Sequence, residues 1–122
     1  MKTRISRRRL LTLALASSAV SALSAAEAET GTAVYYSNYF EGRPVANGET
    51  FSQDKLTAAH NGLRYGTKVK VTNLSNDKSV VVVINDRMRS NSRVLIDLSR
   101  RAAEELDFVK EGKTQVRLEV VE

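Results

Sequence analysis

"GTKVKVTNLSNDKSVVVVIND", Gly66 to Asp86, is the stretch on which the fold turns. Val69 and Val71 alternate with Lys68, Lys70 and Thr72, the period-two pattern of a strand with one face in a core. "SNDK", Ser75 to Lys78, is a short polar turn. The segment after it, Ser79 to Asn85, is the strongest β-former in the chain, so the two segments predict a hairpin. Four valines and Ile84 follow one another without polar interruption, which predicts a strand covered on both faces, at the centre of a barrel or sandwich. It runs straight into Asn85, Asp86 and Arg87, placing a carboxylate at the end of the most apolar run.

The flanking text continues in short strands. "TAVYYSNYF", Thr32 to Phe40, is rich in β-branched and aromatic residues, and "GRPVANGE" behind it contains the turn formers Gly42, Pro44 and Asn47-Gly48. "RVLIDL", Arg93 to Leu98, reads as another strand. Ser99 can then cap a helix, "RRAAEEL", with Ala102, Ala103 and Leu106 on one side. Gly112 breaks that pattern, and "TQVRLEVVE" alternates Val116, Leu118 and Val120 with polar residues. About six strands and one clear helix predict a small, mostly β protein with a closed or nearly closed sheet.

The first 28 residues have the build of an export signal: Lys2, Arg4, Arg7, Arg8 and Arg9, then a modest apolar region to about Val20, then Ala26-Glu27-Ala28 as a cleavage site. "SRRRLL", Ser6 to Leu11, fits the twin-arginine route as well as the general one. The apolar part is interrupted by Thr12, Ser17 and Ser18 and is short of the ~20 residues a span requires. Cleavage after Ala28 leaves residues 29–122, the length of one domain. Five of the 19 Lys and Arg lie in the signal, leaving 14 against 13 acidic residues and a net charge of +1. That balance excludes nucleic acid as the partner. There is no cysteine, so disulfides, thiolate metal sites and a lipid-anchored cysteine are ruled out.

No nucleotide loop or metal motif is visible, and neither a metal nor a cofactor is expected. Acid and base chemistry remains, by carboxylates and the single histidine. Glu49 in "ANGET", His60 in "LTAAHNGL" and Asp86 stand where loops meet strand ends. Each also has a structural explanation: a solvated turn residue, a core histidine and a turn cap. Tyr35, Tyr36, Tyr39 and Phe40 crowd into six residues. Their rings could accept sugar faces, or alternate members such as Tyr36 and Phe40 could fill the core. Asp97 could serve as the second carboxyl of a hydrolytic site, but just ahead of Ser99 it reads as a structural carboxylate near a helix N-terminus.

The motifs "GTAVYYSNYFEGRPVANGETF", "LTAAHNGLRYGTKVKVTNL", "SVVVVINDR" and "RVLIDLSRRAAEEL" resemble, in order and spacing, the rare lipoprotein A family of septal-ring lytic transglycosylases. The resemblance covers Gly31 to Glu122. It implies a six-stranded double-psi β-barrel with one or two short helices, shared with expansins, and a groove for peptidoglycan glycan strands. The implied activity is nonhydrolytic cleavage between N-acetylmuramic acid and N-acetylglucosamine, leaving a 1,6-anhydro end. The family's motif acid falls on Asp86 and its histidine and glutamate on His60 and Glu49, with Tyr35, Tyr36, Asn47, Asn85 and Arg87 expected to bind substrate. A monomer without a stable membrane anchor, in the periplasm or secreted to the cell wall, is the corresponding expectation.

The resemblance is weakest just after Arg87. The family continues there with Gly-Pro and an aromatic, whereas this chain has Met88, Arg89 and Ser90. Such a change beside the expected acid alters substrate preference or leaves an expansin-like module that binds glycan without cleaving it.

Overall fold

The computed structural model of the chain describes residues 28–121. The export signal expected over residues 1–28 lies outside the described residues apart from Ala28. Six strands and one helix follow: β1 (Glu29–Tyr35), β2 (Thr57–Ala59), β3 (Lys68–Asn73), β4 (Ser79–Asp86), β5 (Ile96–Leu98), α1 (Arg100–Glu105) and β6 (Thr114–Val120).

The strands close into a barrel in the order β1-β5-β2-β4-β3-β6. The expected hairpin is present, with Val69 opposite Val82 and Val71 opposite Val80. Two parallel pairings, β1 with β5 and β2 with β4, join segments far apart in the chain. Ala33, Val69, Val71, Val82, Ile84, Leu98, Val116 and Leu118 fill the interior. Ala102, Ala103 and Leu106 of α1 join this core, and Ser99 caps the helix as expected, its hydroxyl accepting from the Ala102 N–H.

Three local expectations are corrected. The valine run is not covered on both faces: Val80, Val82 and Ile84 are buried, whereas Val81 is 43% exposed. A single-layer barrel has one interior, and its outer face is covered only where loops lie across it. The strand expected over Thr32 to Phe40 stops at Tyr35, where Ser37 caps a 3-10 turn at Asn38–Phe40. Phe40 therefore stands in the surface wall described below, not in the barrel core, while Tyr36 is buried. Finally, only Ile96–Leu98 of "RVLIDL" is strand; Val94, before it, lies in a wall of that outer surface.

One irregularity positions the site. Along β2 and β4, Ala58 pairs with Ile84 but Ala59 pairs with Asp86, so Asn85 is an extra residue in β4. In an unbroken strand Asp86 would share the inward face of Ile84. The bulge turns it outward, a recurrent device for re-aiming a side chain at a strand end.

Candidate active site

Asp86 faces a groove of about 820 Å³ on the outside of the barrel. Val34, Ala59 and Asp97 from β1, β2 and β5 form its floor with Asp86. Residues 36–51 form one wall and residues 87–94 the other.

The first wall grows out of a second, smaller core. Tyr36 stacks on Phe51, ring centroids 4.3 Å apart, and Ala59, Val45 and Met88 pack with them. Backbone bonds join Gly42 and Arg43 to Phe51, and Val45 to Glu49. Gly48 closes the Asn47-Gly48 turn at φ 93°, a backbone shape that strains residues with a side chain. This loop then docks on the end of β4: the Asn47 N–H donates to the Asn85 carbonyl at 3.2 Å.

Three donors converge on the Asp86 carboxylate. The Tyr36 hydroxyl donates to Oδ2 at 2.5 Å, while the N–H groups of Ala46 and Arg87 donate to Oδ1 at 2.9 and 2.8 Å. This matches an ionised carboxylate, which only accepts. Burial, and after it the hydrogen bond to Asp86, push the Tyr36 phenol far above its ordinary range, so Tyr36 stays a donor.

Asp97 is placed differently. It does not serve the helix N-terminus: the Arg100 N–H donates to Gln53 Oε1 at 2.7 Å and Ser99 takes the Ala102 N–H. Its side chain lines the groove, and its buried Oδ1 has no hydrogen-bond partner among the described residues. Burial first, and then the charge of Asp86, push the Asp97 carboxyl up to about 7.

Of the other expected site residues, only Arg87 reaches the Asp86 carboxyl, and it does so through its backbone N–H. His60 is 5% exposed, and its backbone N–H donates to the Asp86 carbonyl. Its ring faces the other way. The Gly62 and Leu63 N–H groups point at Nδ1, which puts the ring proton on Nε2, 3.1 Å from Glu29 Oε1. Glu49 is exposed and accepts from the amides of Asn47 and Asn85 at 3.0 and 3.1 Å. Those bonds, Asn47 first, hold it below the usual carboxylate range. Arg87 lines the groove, donates to the His60 carbonyl at 2.8 Å and lies over the Tyr65 ring. Tyr35 turns away, its hydroxyl donating to the Val109 carbonyl and its ring packing on Phe108.

Gln53 was not anticipated. Buried between wall and helix, its amide donates to the Tyr36 carbonyl and to Asn38 Oδ1, while its carbonyl oxygen accepts from Arg100. Nothing in "FSQDKL" marks it, because the partners of its side chain lie at least 15 residues away.

Comparison with known proteins agrees with this architecture. A family model described as lytic transglycolase matches residues 28–118. The chain is 44% identical, over 78% of its length, to "Endolytic peptidoglycan transglycosylase RlpA" of Campylobacter jejuni, covering 34% of that protein. It is 49% identical, over 75% of its length, to "Probable endolytic peptidoglycan transglycosylase RlpA" of Synechocystis, covering 29% of that protein. It thus spans about a third of the length of these relatives. Among solved structures, the Streptomyces papain inhibitor superposes with a TM-score of 0.65 at 22% identity, over 79% of this chain and 96% of that one. A mutant Clavibacter michiganensis expansin in complex with cellohexaose superposes with a TM-score of 0.62 at 18% identity, over 78% of this chain and 50% of that one. These two likenesses concern the fold. With the barrel, the motifs and the match over residues 28–118 in agreement, the chain belongs to the lytic transglycolase family and is of its rare lipoprotein A type.

Proposed function

We propose that this chain is an endolytic peptidoglycan lytic transglycosylase acting in the cell envelope, cleaving between N-acetylmuramic acid and N-acetylglucosamine and leaving a 1,6-anhydro end. The observation that carries the proposal is Asp86: a carboxylate turned outward by a bulge and held by three donors in an open groove. The names of the relatives supply the substrate class.

The reaction needs little from the protein. The attacking nucleophile, the muramic 6-hydroxyl, is already in the substrate, so no water has to be activated, unlike in hydrolytic glycosidases. One proton must reach the departing glycosidic oxygen and one must leave the 6-hydroxyl as it attacks C1. With the family's motif acid at Asp86 and no other acid assigned by the resemblance to these transfers, both would fall to Asp86. Its ionised, acceptor-only form suits it to take the hydroxyl proton. Tyr36 and the Ala46 N–H aim the carboxylate. Glu49 and His60 act from behind β4, Glu49 through Asn85 and His60 through its backbone bond to Asp86, as positioning residues. Arg87 and Phe40 give the groove a cation and an apolar ring for sugar.

The protein is tested by incubation with purified sacculi and with peptide-free glycan strands, products being read by mass spectrometry with Asp86→Asn as control. Products ending in 1,6-anhydro-muramic acid are expected from the wild type. Ends carrying added water would instead mean hydrolysis. Retained binding without any product would sink the enzyme and leave an expansin-like glycan-binding module.

A further inference from the structure

The groove holds a second carboxyl group, and its surroundings are the opposite of those of Asp86. Ala59 pairs with Asp86 on one side and with Asp97 on the other, so the two acids flank the same alanine from the strands on either side of β2 in the groove floor. Residues in register on neighbouring strands project from the same face, and two strand spacings put their backbones roughly 10 Å apart. Val34, opposite Asp97 on β1, closes the far side with an apolar surface.

Asp86 receives three hydrogen bonds, whereas the buried Oδ1 of Asp97 has no partner among the described residues. A carboxylate left buried without donors is costly; a neutral carboxylic acid there costs far less. The charged and titratable groups sharing the groove are Asp86, Tyr36, Arg43, Arg87 and Arg89. Arg43 lies on Tyr39 and Arg87 on Tyr65, and no cation among the described residues forms an ion pair with Asp97.

We propose that Asp97 is the catalytic acid of this site, giving its proton to the departing glycosidic oxygen while Asp86 takes the proton of the attacking hydroxyl. The inference rests on the transglycosylase reading and divides between two residues what the sequence assigns to one. The Asp97 proton moves to the glycosidic oxygen as the C1–O bond breaks. The 6-hydroxyl oxygen forms its bond to C1, and its proton passes to Asp86. The cycle leaves Asp97 ionised and Asp86 protonated, and transfer of one proton from Asp86 to Asp97 restores the start without consuming any co-reactant. Two acids whose environments differ in this way are a general solution to acid and base roles in one site.

Two measurements decide it. Asp97→Asn should lower the rate of 1,6-anhydro product formation by roughly 100-fold or more, with glycan binding within about threefold of wild type. The fall in wild-type rate as pH rises through about 7 should vanish from the residual activity. Independently, carboxyl NMR of the unliganded protein should show Asp97 titrating near 7, and at lower pH in Asp86→Asn, where the neighbouring charge is gone. A folded Asp97→Asn with near wild-type rate overturns the role, as does an Asp97 that titrates as an ordinary carboxyl. Should Asp97→Asn fail to fold, the titrations in wild type and Asp86→Asn decide alone. A wild type that makes no anhydro product at all defeats the transglycosylase reading and removes the acid role with it, even if Asp97 titrates near 7.

Discussion

The wall of the groove built from residues 36–51 is tied into the molecule through buried partners, whereas the wall built from residues 87–94 is held mainly at its start. On the first side, Phe51 and Tyr36 stack, Gln53 reaches both the wall and α1, and Ala46 and Asn47 bond the end of β4. On the second, Asn61 accepts from the Met88 N–H and donates to the Arg89 carbonyl, and a turn bond from Ser92 to Arg89 follows. The first wall supplies two of the three donors to Asp86; beyond Arg87, the second supplies none. Residues 89–94 make neither a hydrogen bond to the carboxylate nor a contact with the small core, whereas Met88 packs against the Tyr36–Phe51 core; the resemblance to the family motif lapses at Met88 to Ser90. On the proposed function, the chemistry rests on the first wall and substrate choice is open to change in the second, as expected of loops on a rigid scaffold.

The largest break in this contrast should come from Asp86→Asn. It keeps an acceptor for the Ala46 N–H but cannot take a proton, so product formation should fall by roughly 100- to 10,000-fold with the thermal midpoint little changed. An active Asp86→Asn would remove the site from this groove. Phe51→Ala empties the small core under the first wall and should cost about 3–5 kcal/mol in denaturant unfolding; a much smaller loss would mean that this wall is not a packed unit.

Asp97 gives a pH signature of similar or smaller size. Burial and the Asp86 charge push its carboxyl from the ordinary 3.8 up to about 7 in the fold, so between these values the native state holds the extra proton. Stability should therefore fall as pH rises from about 4 to 7, by up to roughly 4 kcal/mol. Asp97→Asn should flatten that slope in urea melts collected across this range; an unchanged slope would assign it to other groups. The smallest effect belongs to the second wall. Asn61→Ala removes two bonds to Met88 and Arg89 and should cost about 1 kcal/mol, raising KM for glycan a few-fold while kcat stays near wild type. A large fall in kcat would show that the second wall, too, serves the chemistry.

How far the site was legible depends on what each residue contacts. Asp86 stands out locally, as a carboxylate ending an apolar run, and the hairpin before it follows from composition alone. Tyr36 could be suspected from its aromatic cluster, but not separated from Tyr35, which turns to Val109 instead. β2 has only three residues, Thr57–Ala59, and carries no strand signal, since its alanines pack equally well in a helix. Without β2 there is no way to know that Asp97 and Asp86 flank one residue, so Asp97 looked like a helix-end carboxylate.

By itself the amino-acid sequence determined the β-rich class, the strand expected over Ser79 to Asn85 and its hairpin, the Ser99 helix cap and the family's motifs. All of these follow from near neighbours: alternation, turn chemistry and capping act within a few residues. Tertiary structure alone decided which outward side chains share a groove. The parallel pairings of β1 with β5 and β2 with β4 join distant segments, and the register shift at Asn85 reverses the face of the residue after it. Periodicity along one strand cannot encode the register of another. That register makes Asp86 a hydrogen-bonded carboxylate and leaves Asp97, eleven residues later, buried beside it without a partner among the described residues for Oδ1.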